Sequence, residues 1–99
     1  MSVIIRPIAT REYSHIVMAN NKYYYVDSAF LGDSTSPFAR YETMIFECDR
    51  NGFVFDWGGI YSERHNTHAD MANGHQYIIE NLEEVLENAS YFSSRGYAN

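Results

Sequence analysis

The sequence predicts an α+β domain in which an antiparallel sheet of about four or five strands is covered by one C-terminal amphipathic helix. Three observations carry that expectation. Short stretches rich in β-branched and aromatic residues recur between turn residues from the N-terminus to Tyr61. One of the turns holds Asn51-Gly52, a strong short-range hairpin signal. From Met71 to Leu86 the positions Met71, His75, Ile78, Ile79, Leu82, Val85 and Leu86 keep the 3.6-residue period of a helix with one buried stripe.

Ser2 to Ala9 reads as the first strand, with Pro7 placing it at an edge or ending it early. His15 to Met18 and Tyr23 to Asp27 follow, joined at Asn20-Asn21, a pair suited to the positive φ of a tight turn. Gly32 to Pro37 reads as a loop. Tyr41 to Cys48 and Phe53 to Trp57 flank the sequence DRNG as a hairpin, and Gly58-Gly59 bends or bulges the chain before Tyr61. Asn66 or Thr67 can cap the helix, Thr67 with Asp70 resembling a capping box in which Asp replaces Glu. A carboxylate there also suits the helix dipole. Asn73-Gly74 weakens the helix early, and residues 88–99 are expected to fray. Core candidates are Ile4, Val17, Tyr24, Val26, Met44, Phe46, Phe53, Phe55, Met71, Ile78, Ile79, Leu82 and Val85. Opposite them Glu80, Glu83, Glu84 and Glu87 form an exposed acidic helix face.

Ninety-nine residues make a single domain, 1–99, with room for one modest core but not for a deep substrate cleft as well. This argues against an elaborate enzyme. Nine Tyr and six Phe within a 45% hydrophobic composition fit a folded β-rich domain. No apolar run approaches the roughly 20 residues that cross a bilayer, and no basic start precedes a hydrophobic leader, so a soluble, intracellular chain is expected. The single Cys fits a reducing compartment. The net charge is −6, with five carboxylates and no Lys or Arg from Asp70 to Glu87. Direct nucleic-acid binding is disfavoured, since it rests on neutralising phosphates. An acidic domain is instead drawn to a basic protein surface, including one that normally holds nucleic acid, although the charge also serves plain solubility.

In Tyr41 to Cys48, Met44, Phe46 and Cys48 alternate with Thr43, Ile45 and Glu47, which puts the thiol on a face with two large apolar residues. His75 lies in the buried stripe of the helix, and His65 and His68 just precede that helix. Cys48, His65, His68 and His75 are therefore candidate ligands of a structural zinc ion, thiolate and imidazole being its preferred donors. His68 and His75 lie roughly 10 Å apart along a continuous helix, so they share an ion only if the helix begins after His68 or kinks near Gly74. In the alternative the thiol acts as a small hydrophobe, His75 bonds a backbone carbonyl, and the other two are exposed. Asp49, Asp56 and Asp70 read as turn, strand-end and cap residues before they read as ligands. GxSxG, HExxH, phosphate-cradling and CxxC patterns are missing from the sequence. A nucleophilic Cys48 would have poor access from an inward face. Tyr23, Tyr24 and Tyr25 span both faces of their strand, and an outward ring there is a candidate anchor for a protein partner, with cross-strand packing the other reading.

The run from Tyr41 to Glu80 resembles a type of small protein encoded by phages and prophages, with an ETM-F strand, an aspartate-glycine hairpin, a tryptophan and a helix start ending in Gly-His. The matching positions are Glu42, Thr43, Met44, Phe46, Asp49, Gly52, Trp57, Gly74 and His75. In size, acidity and phage character the chain is similar to anti-CRISPR proteins that inhibit type II-A Cas9, one at least of which contains zinc. The resemblance implies a non-enzymatic inhibitor acting in the cytoplasm of an infected bacterial host, binding Cas9 through an acidic and aromatic surface (Glu80, Glu83, Glu84, Glu87, Tyr23, Tyr24 and Tyr25) and blocking nucleic-acid loading. The runner-up is an accessory module with another protein target, and the third reading is a small metal-dependent hydrolase. Residues 1–40 carry no motif that matches.

Overall fold

The computed structural model describes residues 3–7, 13–31 and 40–94. Five strands, β1 (Val3–Pro7), β2 (Ser14–Ala19), β3 (Lys22–Phe30), β4 (Tyr41–Cys48) and β5 (Tyr61–His65), form one antiparallel sheet in chain order. Two helices follow, α1 (His68–Glu80) and α2 (Leu82–Ser94). The α+β class and an antiparallel sheet of five strands are as the sequence predicts, with the fifth strand at Tyr61–His65 in place of Phe53 to Trp57 and the helical segment divided in two. Among the described residues no helix is long and apolar enough to cross a membrane.

Local chemistry sets most boundaries. Asn20 and Asn21 take φ of 53° and 64°, the left-handed conformation that a two-residue turn needs. At the DRNG turn the Asp49 carboxylate accepts from the backbone N–H of Asn51 (2.8 Å) and of Phe53 (3.0 Å), while Gly52 takes φ of 90°. A Cβ on Gly52 would lie 2.9 Å from Ile16 Cδ1, so the turn also packs on the sheet. Thr67 caps α1 by accepting from the Asp70 N–H at 3.1 Å. Between the helices, Asn81 leaves helical geometry with φ of −129°, donates from its backbone to Tyr77 and Ile78 carbonyls and from its side chain to Tyr77 O, and its own carbonyl accepts from Val85. The break covers one residue, so Ile78, Ile79, Leu82 and Val85 still point to one core. Helix α2 continues past Asn88, where a frayed tail is expected, to Ser94.

Register decides which face each strand residue occupies. The pairs Val17 with Tyr24, Val26 with Ile45 and Ser28 with Thr43 place these residues on the helix-covered side, where Val17, Ala19, Tyr24, Val26, Ile45, Ile78, Ile79, Leu82 and Val85 form the core. Each fully buried Val, Ile or Leu contributes about 1.5–3 kcal/mol. Met44, Phe46 and Cys48 therefore lie on the opposite face, where Phe46 and Cys48 are buried away from the helices. That face has its own cover. The chain from Asp49 to Ile60 returns across it, with the Trp57 ring 5.0 Å from that of Phe46 and 6.2 Å from that of Tyr25. The expected strand Phe53 to Trp57 is reduced to a single bridge, Cys48 with Val54, because the Asp56 turn reverses the chain, the Asp56 carboxylate accepting from Gly58 N–H at 2.8 Å. Three core expectations fail with it: Phe53, Phe55 and, on the edge strand, Ile4 are 71%, 66% and 43% exposed. The first strand runs Val3–Pro7, and the predicted loop Gly32 to Pro37 lies outside the described residues.

Candidate functional site

The polar chemistry of the molecule gathers beneath α1. His15 on β2, Ser28 on β3 and Thr43 on β4 occupy the helix-covered face one row beyond the aliphatic core, because strand alternation puts them in line with Val17, Val26 and Ile45. His75 reaches them from α1 and is only 1% exposed. Its Nε2 lies 2.9 Å from His15 Nδ1, its Nδ1 lies 2.7 Å from Ser28 Oγ, and Ser28 Oγ lies 2.5 Å from Thr43 Oγ1. These contacts form a continuous chain that runs consistently in either sense. Either His15 donates to His75, His75 to Ser28 and Ser28 to Thr43, or each bond is reversed. Tyr13 sets its ring edge-on to His75 at 5.7 Å and to His68 at 5.4 Å.

Burial, reinforced by the neighbouring His15, lowers the His75 pKa to about 4, and burial also lowers that of His15. Asp27 acts on His75 in the opposite sense, and its carboxylate accepts from Ser14 Oγ. Both imidazoles are thus neutral at neutral pH, which suits a bond between two rings. Among the described residues no buried side-chain nitrogen or oxygen lacks a partner.

Beside this chain, the Glu63 carboxylate accepts from Tyr61 Oη at 3.0 Å and contacts His65 Nε2 at 3.0 Å. Burial first, then the bond to Glu63, pushes the Tyr61 phenol up to about 12. Gly74 lets α1 settle onto that pair. A Cβ there would sit 2.8 Å from His65 Cε1 and 2.9 Å from Glu63 Oε1. The residue that weakens the helix in isolation is the one that permits its docking.

The four proposed zinc ligands are not brought together. Cys48 is buried on the face of the sheet away from His75, His65 is engaged with Glu63, and His68 is exposed in the first turn of a helix that passes through Gly74 without a break. Among the described residues no group of three or more His, Cys, Asp or Glu is arranged to hold a metal ion. The donor set therefore does not fit a shared zinc in this arrangement. The Ser28 and His75 contact has the length of a nucleophile and base pair. Ser28 is 8% exposed and His75 1%, and the contact ties α1 to the sheet.

Of the expected partner-binding residues, Glu80, Glu84 and Glu87 are exposed and Glu83 is partly buried. Tyr77 Oη donates to Glu84 at 2.8 Å and Gln76 to Glu80 at 2.9 Å. The tyrosines differ from expectation. Tyr24 belongs to the helix-side core at 6% exposure, while Tyr23 and Tyr25 are partly buried on the other face, Tyr25 against Phe46 and Trp57. Strongly exposed aromatics among the described residues include Phe30 on β3 and, in the segment read as a hairpin strand, Phe53, Phe55 and Trp57. His15 and Ser28 also escape a sequence reading, although their place in the alternation with Val17 and Val26 marks both as inward polar residues. No protein-family model matches the chain, and neither a curated protein nor a solved structure gives a significant match to it.

Proposed function

We propose that the chain is a non-enzymatic inhibitor that binds a host CRISPR effector, Cas9, and blocks its loading with nucleic acid in the infected bacterial cytoplasm. The observation that carries the protein-binding reading is the carboxylate surface of the two helices. Glu80, Glu83, Glu84 and Glu87 lie on adjoining turns, with no Lys or Arg from Asp70 to Glu87. Such a surface attracts a basic protein face and repels phosphate. Phe53, Phe55 and Trp57 supply the exposed aromatic area common at binding hot spots, in place of Tyr24. The choice of Cas9 rests on the resemblance of residues 41–80 to phage proteins together with the size and acidity of the chain.

The test is a DNA-cleavage assay in which purified Cas9 meets the protein before guide and target, alongside a variant with all four Glu changed to Lys. Inhibition by the native chain should weaken in that variant through slower association, and high salt should weaken it too. Full cleavage in the presence of excess native protein would remove Cas9 as the target and leave an interaction module for another protein. Unchanged inhibition by a folded fourfold variant would move the contact surface off the helices.

A further inference from the structure

On the helix-covered side, at the end of the sheet away from His75, the β2–β3 turn and α2 bound an open groove of about 730 Å³. Its apolar lining comes from Tyr24, Ile60, Leu86 and Ala89, and Glu83 and Glu87 stand along one wall. Asn20 closes the turn end. Leu86 and Tyr24 belong to packed structure, so these walls are firm, whereas Ile60 contributes an apolar side chain that is 49% exposed. Glu83 and Glu87 are four residues apart on α2 and so lie on the same side of the helix. No residue of the His75 chain lines this groove.

The lining selects an occupant. Phosphate and nucleic acid meet two carboxylates and no described cation in the wall. A wholly apolar segment would strip water from the exposed Glu87 carboxylate without return. An open trough also does not enclose a small ligand, whose sites cover most of the ligand's surface. A peptide segment with aliphatic side chains on one face and Lys or Arg on its flank satisfies both parts, the aliphatic groups lying on Ile60, Leu86 and Ala89 and the cations pairing with Glu83 and Glu87.

We propose that this groove is the docking site for a basic amphipathic segment of a protein partner. The inference rests on the reading of the chain as a protein-binding module and names the part of the partner that it grips.

The experiment uses the full chain and a fluorescein-labelled synthetic peptide with Leu and Lys in helical amphipathic order, read by anisotropy at physiological salt. A second peptide carries Glu in place of each Lys. Ala89→Trp fills the groove without changing charge, the Glu83→Lys and Glu87→Lys pair reverses its wall, and Ile60→Arg places a cation on the floor from outside the helix. Circular dichroism and thermal melting check that each variant folds, and Ile60→Arg serves if Ala89→Trp does not. The Lys peptide should bind, the Glu peptide should not, and each variant should weaken binding by about tenfold or more. Failure of the Lys peptide to bind overturns the proposal. So does native affinity in folded Ala89→Trp or Ile60→Arg, which would reduce the effect to general attraction by an acidic surface. Self-association of the native chain that Ala89→Trp abolishes would instead give the groove to a second copy. A parallel Cas9 capture separates this from the functional reading. Cas9 held equally by native and groove-filled protein sinks the groove alone, and peptide binding without Cas9 binding sinks the Cas9 reading alone.

Discussion

Acidification should loosen the contact between α1 and the sheet, because His75 beneath the helix is held neutral. In the unfolded chain its imidazole titrates at its ordinary value of 6.5, and in the folded protein at about 4. The unfolded state therefore takes up the proton first as pH falls. The stability contributed by a neutral, buried His75 is complete above 6.5 and is lost progressively as pH falls towards about 4. A gap of about 2.5 units at 1.36 kcal/mol per unit amounts to roughly 3 kcal/mol, a large share of the 5–15 kcal/mol typical of a small domain. His15 is shifted in the same direction and adds to the loss, and the opposing pull of Asp27 is already contained in the His75 value of about 4. The assay is urea unfolding of the native chain and of His75→Gln at a series of pH values through this window. His75→Gln keeps a group that can bond Ser28 but does not titrate. It should start lower, by about 1–3 kcal/mol for the disturbed network, and fall less steeply on acidification. The difference in slope isolates His75 from the other titrating groups, which the two proteins share. Parallel pH profiles for the two proteins between 6.5 and about 4 would refute the argument that a neutral His75 holds the helix down.

Two further outcomes follow from packing. Gly74→Ala should destabilise the fold although Ala favours a helix by about 1 kcal/mol, because its Cβ meets His65 and Glu63 at under 3.0 Å. A raised urea midpoint would show that the pair moves aside at little cost. Cys48→Ser and His75→Gln should affect stability additively, within about 0.5 kcal/mol, because the two residues lie on opposite faces of the sheet. Strong coupling in the double variant, or zinc bound by the native chain and released by either single change in elemental analysis, would restore the shared metal site.

Several features were legible in the residues because they depend on a few neighbours. The left-handed Asn20-Asn21 turn, the Asp49 carboxylate at the DRNG hairpin, the Thr67 cap and the apolar stripe from Met71 to Val85 are of this kind. The inward imidazole of His75 belongs with them, since helical period alone places it. Its partners do not. Ser28 and His15 lie 47 and 60 residues away in the chain, and only strand register with the docking of α1 brings them to its two ring nitrogens.

Strand β4 shows the limit most directly. It carries apolar residues on both faces, Ile45 on one and Met44, Phe46 and Cys48 on the other, so alternation identifies a strand without saying which face meets the helices. The larger set lies on the side away from the helices. What covers that set is the chain from Asp49 to Ile60, folded back by the Asp56 turn, which carries Trp57 onto it and leaves Phe53 and Phe55 exposed. Sequence by itself determined where the backbone turns, caps and alternates, because those preferences are paid within a few residues. Tertiary structure decided which apolar face is covered by what, and with it the separation of Cys48 from His75, because burial is a property of two surfaces that meet.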